Sequence, residues 1–205
     1  MKREILHSEA CERNKEVILK NLKDFIPKDR VINLLEIGFG TGQHAHYFSE
    51  MLPHINFTIA DVEDYHLAFK ERLKHFGDRD NIEGPFLFEA SEKEIRHNLP
   101  RESYDIIYCA NVFHIMSWPE VNQTLLALSS LLNKEGFLLF YGPFKFREKF
   151  TSHSNQSFDS SLKTRNPKMG IRDSEKIESI LSESQISLYD RRDLPANNNF
   201  LIFKR

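Results

Sequence analysis

The sequence predicts an α/β fold with a mainly parallel sheet and helices on both faces. Short apolar stretches typical of buried strands alternate with amphipathic stretches typical of helices. One apolar stretch, residues 31–37, ends in a glycine-rich turn of the kind that joins a strand to a following helix. Strands and helices that alternate in this way form parallel sheets with right-handed crossovers, and such sheets bind ligands at the carboxyl ends of their strands.

The composition indicates one domain, residues 1–205, and argues against several classes of partner. The chain of 205 residues has Lys+Arg 28 and Asp+Glu 30, so its formal charge is -2. Because this balance offers no overall attraction for nucleic acid, we do not expect nucleic acid as a partner. The two cysteines provide neither a disulfide framework nor a metal-ligand set. The sequence shows no signal-like or membrane-spanning apolar run, so we expect a cytoplasmic protein without a membrane partner.

The glycine-rich turn predicts a binding site for a nucleotide-type ligand. Gly38, Gly40 and Gly42 give it the spacing Gly-x-Gly-x-Gly. Glu36 lies two residues before the first of them. Glycines let the backbone approach a ligand closely, and the helix that follows directs free N–H groups at it. A dinucleotide fingerprint would have its third glycine at Gln43, so the spacing favours another ligand; the alternative is a structural turn without a ligand.

A helix is predicted before this turn, over residues 8–26. Ser8 can cap it, and Pro27 ends it. Arg13 and Asn14 lie in its first turns. Composition alone places these two side chains on a solvated helix face.

The second predicted strand ends at a carboxylate that suits a nucleoside. Helices over 43–51 and 65–76 flank this strand, which covers 56–60 and is followed by Asp61. A carboxylate in this position can accept hydrogen bonds from the ribose hydroxyls of a bound nucleoside. The alternative role is an N-cap for the next helix, for which Asp64 is also available.

Polar residues also follow strands in the second half of the chain. The predicted strands there are 86–88, 104–110, 136–141, 185–189 and 200–203, and the predicted helices are 118–132 and 174–182. Glu89 and Asn111 follow the first two of these strands, and Tyr141 ends the third. His114 lies three residues after Asn111. Because the carboxyl ends of parallel strands meet at one edge of a sheet, these residues, the glycine turn and Asp61 should line one crevice.

Residues 144–170 interrupt the alternation of strands and helices, because they are polar and have too little apolar content for a core element. The segment starts beside the crevice, so we expect residues 144–171 to act as a lid; the alternative is a solvated surface loop. Its candidate substrate contacts are Ser154, Asn155 and Asp159, with Arg172 just beyond it. The planar guanidinium of Arg172 suits a carboxylate or phosphate, which indicates an acidic substrate.

Several longer motifs make the chain resemble a known family. They are Leu-Glu-Ile-Gly-Phe-Gly-Thr-Gly-Gln-His-Ala, Tyr-Gly-Pro-Phe, Phe-Thr-Ser-His-Ser-Asn-Gln-Ser-Phe-Asp-Ser-Ser-Leu, Gly-Ile-Arg-Asp and Leu-Pro-Ala-Asn-Asn. Through them the sequence resembles the DUF938, or methyltransferase-like 26, family over nearly its whole length. The glycine turn itself is similar to motif I of methyltransferases that use S-adenosylmethionine (SAM). Glu89 departs from the family, which often has Asp at this position.

The resemblance implies a Rossmann-like, seven-stranded class I methyltransferase fold with SAM as cofactor and S-adenosylhomocysteine (SAH) as product. The expected cofactor contacts are Glu36, Gly38, Gly40, Gly42, Asp61, Glu89 and Asn111. The candidate catalytic residues are His114, Tyr141 and Asn111. The candidate substrate contacts are Arg13, Asn14, Asn155 and Arg172. No metal is expected, because His44 and His46 are two residues apart on a predicted helix and point away from each other.

The function we expect is methyl transfer to a small, preferably acidic molecule. SAM brings its own electrophile, so the protein has to position the nucleophile and exclude water, with His114 or Tyr141 as a base where a proton must leave. The alternatives are methylation of RNA or protein, and a SAM-binding assembly partner without catalysis. The first would call for a basic or aromatic surface, and the second for a large exposed apolar patch.

Overall fold

The computed structural model describes residues 6–27 and 29–205. The helices are α1 (Glu9–Leu22), α2 (Gln43–Met51), α3 (His66–Phe76), α4 (Trp118–Leu131), α5 (His153–Arg165) and α6 (Ser174–Ser182). The strands are β1 (Ile32–Ile37), β2 (Ile55–Asp61), β3 (Ile82–Ala90), β4 (Ile95–His97), β5 (Tyr104–Ala110), β6 (Leu132–Gly142), β7 (Phe144–Phe146), β8 (Lys149–Phe150), β9 (Arg172–Asp173), β10 (Ser187–Leu194) and β11 (Asn198–Lys204). Short 3₁₀ turns lie at Lys23–Phe25, Glu63–Tyr65, Phe113–Ile115 and Pro195–Asn197.

The main sheet confirms the predicted Rossmann-like α/β fold. Within the described residues it has eight strands in the order β10-β11-β6-β5-β1-β2-β3-β4. The five central strands β6, β5, β1, β2 and β3 are parallel. β11 is antiparallel to both β6 and β10. The short strand β4 pairs antiparallel with β3 at one edge and adds to the seven strands that the family resemblance implied.

Helices cover both faces of the sheet because successive side chains of each strand point to opposite faces. On β1, Leu34 belongs to the apolar cluster that contains Ile18 of α1 and Phe48 of α2. The next residue, Leu35, belongs to the cluster that contains Leu125 of α4. Full burial of one such side chain is worth about 1.5–3 kcal/mol, so the two clusters fix the helices on their faces.

Most elements lie close to their predicted bounds. α1 begins after Ser8, whose hydroxyl accepts a hydrogen bond from the Cys11 N–H at 3.3 Å, and α6 covers the predicted residues. β3 is longer than the predicted strand over 86–88. Its pairing with β2 shifts register before Phe86. The resulting bulge takes Pro85, which has no N–H, out of the regular ladder.

The expectation of an irregular polar segment over 144–170 is wrong. The segment contains β7, β8 and the 13-residue helix α5, and β7 pairs with β8 and β9 in a small second sheet. The buried side chains of α5 are Asn155, Asp159 and Leu162. They recur at helical spacing, but because two of the three are polar, hydrophobic periodicity does not reveal the helix.

The two edges of the parallel sheet differ in what they carry. The carboxyl ends of β1, β2, β5 and β6 carry the glycine turn, Asp61, Asn111 and Tyr141. At the opposite edge, Arg205 donates from its backbone N–H to the Gly136 carbonyl at 3.2 Å and from Nη1 to the Leu132 carbonyl at 2.7 Å. The C-terminal residue is therefore fixed at the start of β6, away from the crevice. None of the helices in the described residues is long and apolar enough to cross a membrane.

Candidate functional site

The glycine turn after β1 has two positions that only glycine fits. Gly38 and Gly42 have φ angles of 73° and 70°, in the left-handed region that side chains disfavour. A Cβ added to Gly38 would lie 2.3 Å from Cγ2 of Val112, and one added to Gly42 would lie 2.2 Å from Cδ2 of Phe69. A Cβ added to Gly40 would meet no atom within 4 Å. The turn is thus packed against the protein at both ends, and its middle faces open space.

Asp61, the last residue of β2, is bonded to this turn. The Gly40 N–H donates to Asp61 Oδ2 at 2.8 Å, and the Val62 N–H donates to Oδ1 at 2.8 Å. Burial raises the pKa of the Asp61 carboxyl, while these two amide donors act in the opposite direction. The carboxylate is therefore fixed at the strand end, and its remaining lone pairs can accept hydrogen bonds from hydroxyl groups.

A cavity of about 210 Å³, here called the smaller cavity, lies beside Asp61. Its lining includes Gly38, Asp61, Tyr65, Phe88, Val112 and Met116. The lining also includes Glu120, whose carboxylate accepts from the Ser117 N–H at 2.6 Å and so caps α4. The Asp61 carboxylate beside mostly apolar walls suits a nucleoside, whose base is flat and whose ribose donates hydrogen bonds. The smaller cavity therefore has the chemistry expected of a nucleoside site.

A larger cavity, of about 860 Å³, opens at the carboxyl ends of β5 and β6. Its walls come from α1, these strand ends, α5 and the turn before β11. It brings together the predicted site residues Arg13, Asn14, Asn111, His114, Tyr141, Ser154 and Asn155. Phe158 and residues 195–198 complete the wall; they were noted in the sequence only as parts of family motifs. Its volume lies in the range of about 300–1,000 Å³ that is usual for small-molecule sites.

Glu36, a predicted cofactor contact, lies in the interior and lines neither cavity. Burial raises the pKa of its carboxyl to about 8, and the nearby charge of Asp61 acts in the same direction. Its Oε2 has no hydrogen-bond partner among the described residues. Glu36 is therefore mostly a neutral acid at pH 7, and its contact with a cofactor stays a prediction.

The start of α1 is held against the glycine turn by two side chains that the sequence analysis did not assign to the site. Gln43 Oε1 accepts from the Ser8 N–H at 2.5 Å, and Gln43 Nε2 donates to the Ser8 carbonyl at 3.2 Å. Arg72 donates to the Thr41 carbonyl at 2.6 Å and to the Leu6 carbonyl at 2.8 Å. The position of Gln43 within the glycine motif was the available signal, whereas nothing in the sequence pointed to Arg72.

His114 presents a neutral imidazole to the larger cavity. Its ring meets the edge of Phe158 with 5.3 Å between the ring centroids. Burial lowers the pKa of His114 to about 4, and the positive charges of Arg172 and Arg165 act in the same direction. At neutral pH this imidazole can therefore accept a proton from a bound nucleophile.

Asn111 and Tyr141 lie side by side at the ends of β5 and β6. The Asn111 N–H donates to the Tyr141 carbonyl at 2.8 Å. Burial raises the pKa of the Tyr141 phenol, while hydrogen bonds from the side chains of Asn14 and Asn198 act in the opposite direction. The phenol is thus protonated at neutral pH, which favours His114 over Tyr141 as the proton acceptor.

Glu89, a predicted cofactor contact, does not line the smaller cavity. Phe88 and Ala90 line that cavity, and because side chains alternate along a strand, Glu89 points to the other face of β3. There its carboxylate forms an ion pair with Arg96 of β4. The side chain is therefore engaged outside the cavity.

Arg172, a predicted substrate contact, does not line the larger cavity, and its contact with a substrate stays a prediction. Its Nε donates to the Phe113 carbonyl at 3.0 Å, and its Nη2 donates to the carbonyls of Met116 and of Lys168, the latter at 2.9 Å. The guanidinium ties β9 to the turn that carries His114. The Nε and Nη2 donors of the guanidinium are thus engaged by backbone carbonyls.

Two of the three polar residues predicted as contacts in this segment, Asp159 and Asn155, have different roles. Asp159 is buried beneath α5, where it accepts from the Ile171 N–H at 2.7 Å and pairs with Lys163 at 2.6 Å. Asn155 lines the larger cavity and donates to the Asn197 carbonyl at 2.8 Å. Asp159 thus stabilises the segment, while Asn155 joins α5 to the turn on the other side of the cavity.

The amino-acid sequence matches one family model over almost all of its length. The model, described as "Protein of unknown function (DUF938)", covers residues 6–205. Malonyl-[acyl-carrier protein] O-methyltransferase from Paenibacillus sp. (strain JDR-2) is 25% identical over 187 residues, which are 90% of this chain and 65% of that protein. The chain therefore spans less than two thirds of this relative.

Solved structures of methyltransferases have the same fold. An O-methyltransferase family protein from Burkholderia thailandensis superposes with a TM-score of 0.76 at 13% identity, over 96% of this chain and 57% of that one. Human N-acetylserotonin methyltransferase in complex with SAM superposes with a TM-score of 0.74 at 14% identity, over 96% of this chain and 53% of that one. At these identities the likeness shows the fold. The chain belongs to the DUF938 family and has the α/β fold of the class I SAM-dependent methyltransferases.

Proposed function

We propose that this protein is a SAM-dependent methyltransferase that acts on a small molecule with an acidic group. The observation that carries the proposal is the bonded unit of glycine turn and Asp61, which lines a cavity suited to a nucleoside, together with a larger cavity open to a second reactant. The methyltransferases among the relatives give further support.

The residues present fit the cofactor. Asp61 has lone pairs for ribose hydroxyls, and the backbone at Gly40 leaves room for close approach. Asn111 lines the larger cavity, and the next residue, Val112, lines the smaller one. SAM supplies a methyl group on a sulfonium, which needs a nucleophile held in line at about 3 Å and shielded from water. The chain positions that nucleophile, and His114 takes up its proton where one must leave.

We attribute the preference for an acidic substrate to Arg13 rather than to Arg172. Arg13 lines the larger cavity and carries a formal positive charge, and the described residues of this lining include no Asp or Glu. Asn14 and Asn155 add side-chain amides that can hydrogen bond to a carboxylate. A negatively charged small molecule is therefore complementary to the lining.

Residues 144–171 cover the larger cavity in this proposal. α5 contributes Ser154, Asn155 and Phe158 to the wall, so an opening of this segment would admit substrate. Proteolytic nicking within the segment should then slow when SAH and a substrate are both bound, because a closed cover is a poor protease substrate. Equal rates of cleavage with and without the two ligands would show that the segment is a fixed wall of the cavity and does not open and close.

The test begins with calorimetry of SAH binding, which we expect in the micromolar range. It continues with a screen of small carboxylic acids for methyl transfer from isotopically labelled SAM, with mass spectrometry of the products. A labelled product supports the proposal, and NAD binding in place of SAH would overturn it. Tight, salt-sensitive binding of tRNA would favour an RNA methyltransferase, and SAH binding without any acceptor would favour an assembly partner.

A further inference from the structure

His44 lies in the core behind the larger cavity and is hydrogen bonded to a residue of its wall. Nε2 of His44 is 2.7 Å from Oδ1 of Asn14, and Nδ1 is 3.3 Å from the hydroxyl of Tyr108. His44 and Tyr108 do not line the cavity, whereas Asn14 does. The three side chains thus form a hydrogen-bonded row that runs from the interior to the cavity wall.

This row has one consistent direction of donation. Burial lowers the pKa of His44 to about 4, so its imidazole is neutral and carries one N–H. Oδ1 of Asn14 is an acceptor, so the ring proton is assigned to Nε2 and the Tyr108 hydroxyl donates to Nδ1.

The orientation of Asn14 follows from this assignment. Since His44 holds its side-chain oxygen in the interior, the NH₂ group of Asn14 is turned toward the cavity and the phenol of Tyr141. Tyr141 lines the same cavity as Asn14.

We propose that His44 is a positioning residue that makes Asn14 a hydrogen-bond donor to an oxygen acceptor of the ligand in the larger cavity. His44 acts through Asn14 and touches no ligand itself. The identity of the ligand rests on the proposed function, but the orientation of the Asn14 amide does not. Two ligands carry such an oxygen as a carboxylate: the amino-acid part of SAM or SAH, and an acidic substrate.

A purely structural role for His44 is separable from this one. The ring stacks on Phe48 with 5.3 Å between centroids and an interplanar angle of 3°. His44→Phe keeps this stacking and the volume but removes the donor to Asn14. His44→Gln keeps an N–H near the position of Nε2 and loses the stacking. If His44 only fills the core, His44→Gln should change the measured properties more than His44→Phe does. If His44 positions Asn14, His44→Phe should change them more.

The first measurement is nitrogen NMR on the ¹⁵N-labelled full chain without ligand. We expect one neutral tautomer of His44 with the proton on Nε2 between about pH 5.5 and 8. The side-chain NH₂ signal of Asn14 should shift in His44→Phe and stay near its wild-type position in His44→Gln. A proton on Nδ1, or an Asn14 signal that is unchanged in His44→Phe, would overturn the positioning role whether or not SAM is the cofactor.

The second measurement is calorimetry with three probes: SAH, 5′-methylthioadenosine, which lacks the amino-acid part, and malonate added to the SAH-loaded protein. His44→Phe should weaken either SAH or malonate by at least about tenfold, and His44→Gln by less than about threefold. A loss of affinity for SAH but not for 5′-methylthioadenosine assigns the oxygen to the cofactor carboxylate. A loss of affinity for malonate alone assigns it to the substrate. The exposed His54 provides the matched control His54→Phe, which should change none of these affinities.

The outcomes separate the two proposals. If His44→Phe binds all three probes as the wild type does, the inference about His44 fails and the proposed function stands. If the wild type binds neither SAH nor 5′-methylthioadenosine, the proposed function fails, and the NMR results still decide whether His44 positions Asn14.

Discussion

Gly40 donates its backbone N–H to the carboxylate of Asp61 at 2.8 Å, so the glycine turn after β1 and the end of β2 form one bonded unit. Any shift of the turn therefore moves the carboxylate that faces the smaller cavity. The position of the proposed nucleoside ligand and the shape of the turn are thus expected to change together.

Removal of the Asp61 carboxylate should weaken SAH binding. Each hydrogen bond to a charged group contributes roughly 1.5–3 kcal/mol, so we expect Asp61→Ala to raise the dissociation constant by about tenfold or more in calorimetry. Asp64→Ala, a change of an exposed carboxylate in the next turn, is the control and should leave the affinity unchanged. Unchanged SAH affinity in folded Asp61→Ala protein would remove Asp61 from the site.

Substitution of glycine in the turn should destabilise the protein most where a Cβ meets packed atoms. Gly38→Ala combines a left-handed φ, which costs roughly 1–2 kcal/mol, with a clash against Val112 that costs roughly 1–3 kcal/mol. Gly40→Ala carries only the cost of its φ, because the space around it is open. Thermal unfolding should therefore show the larger loss for Gly38→Ala, and equal losses would contradict the packing described for the turn.

Stability without ligand should be greatest near pH 6.5. His44 and His114 have pKa values of about 4 in the folded protein, below the unfolded value, so their contribution is complete above about pH 6.5 and is lost as the pH falls toward 4. Glu36 has a folded pKa of about 8, above its unfolded value, so its contribution is complete at acidic pH and is lost as the pH rises through 8. Between about pH 4.5 and 6.5 the two histidines outweigh Glu36, and above pH 6.5 only Glu36 acts.

Glu36→Gln isolates the alkaline side of this profile. Urea unfolding at pH 6.5 and 8 should show a fall in the free energy of unfolding of roughly 2 kcal/mol in the wild type. Since glutamine does not titrate, the variant should lose most of this fall. A fall of equal size in both proteins would show that the carboxyl of Glu36 does not titrate in this range.

Arg172→Ala should destabilise the protein without loss of SAH affinity. Its guanidinium bonds to the carbonyls of Phe113, Met116 and Lys168 would be lost, at a cost of at least about 2 kcal/mol in the free energy of unfolding. Arg165→Ala, at an exposed residue of α5, is the control and should change stability by no more than about 0.5 kcal/mol. If Arg172→Ala keeps its stability and loses turnover, this result would support Arg172 as a substrate contact.

The unit formed by the glycine turn and Asp61 could be predicted because its signals are local. Gly38, Gly40, Gly42 and Asp61 each lie where an apolar run stops, and the ends of parallel strands have to meet. Glu89 also lies near a strand end, but the face that its side chain takes depends on the register of β3, which a bulge shifts by one residue.

The substrate half was harder to predict because its contacts are distant in sequence and involve the backbone. Arg172 and Arg72 bond to carbonyl groups, which every residue has, so the sequence does not mark their partners. α5 buries Asn155 and Asp159 at helical spacing, a pattern that an analysis of apolar residues does not detect. The residues around Asn197 lie opposite α5 only in the folded chain, so the sequence alone does not show that they belong to the site.

The bonds of Arg72 to Leu6 and of Arg205 to the start of β6 decide how the protein should be attached to a surface. Leu6 is held beside the glycine turn, so a tag or tether joined ahead of it starts at the mouth of the crevice. Arg205 is held at the opposite edge of the sheet, so a tether joined after it leaves the crevice open. Immobilisation through the C-terminus should therefore reproduce the SAH affinity measured in solution, and immobilisation through the N-terminus should slow ligand association.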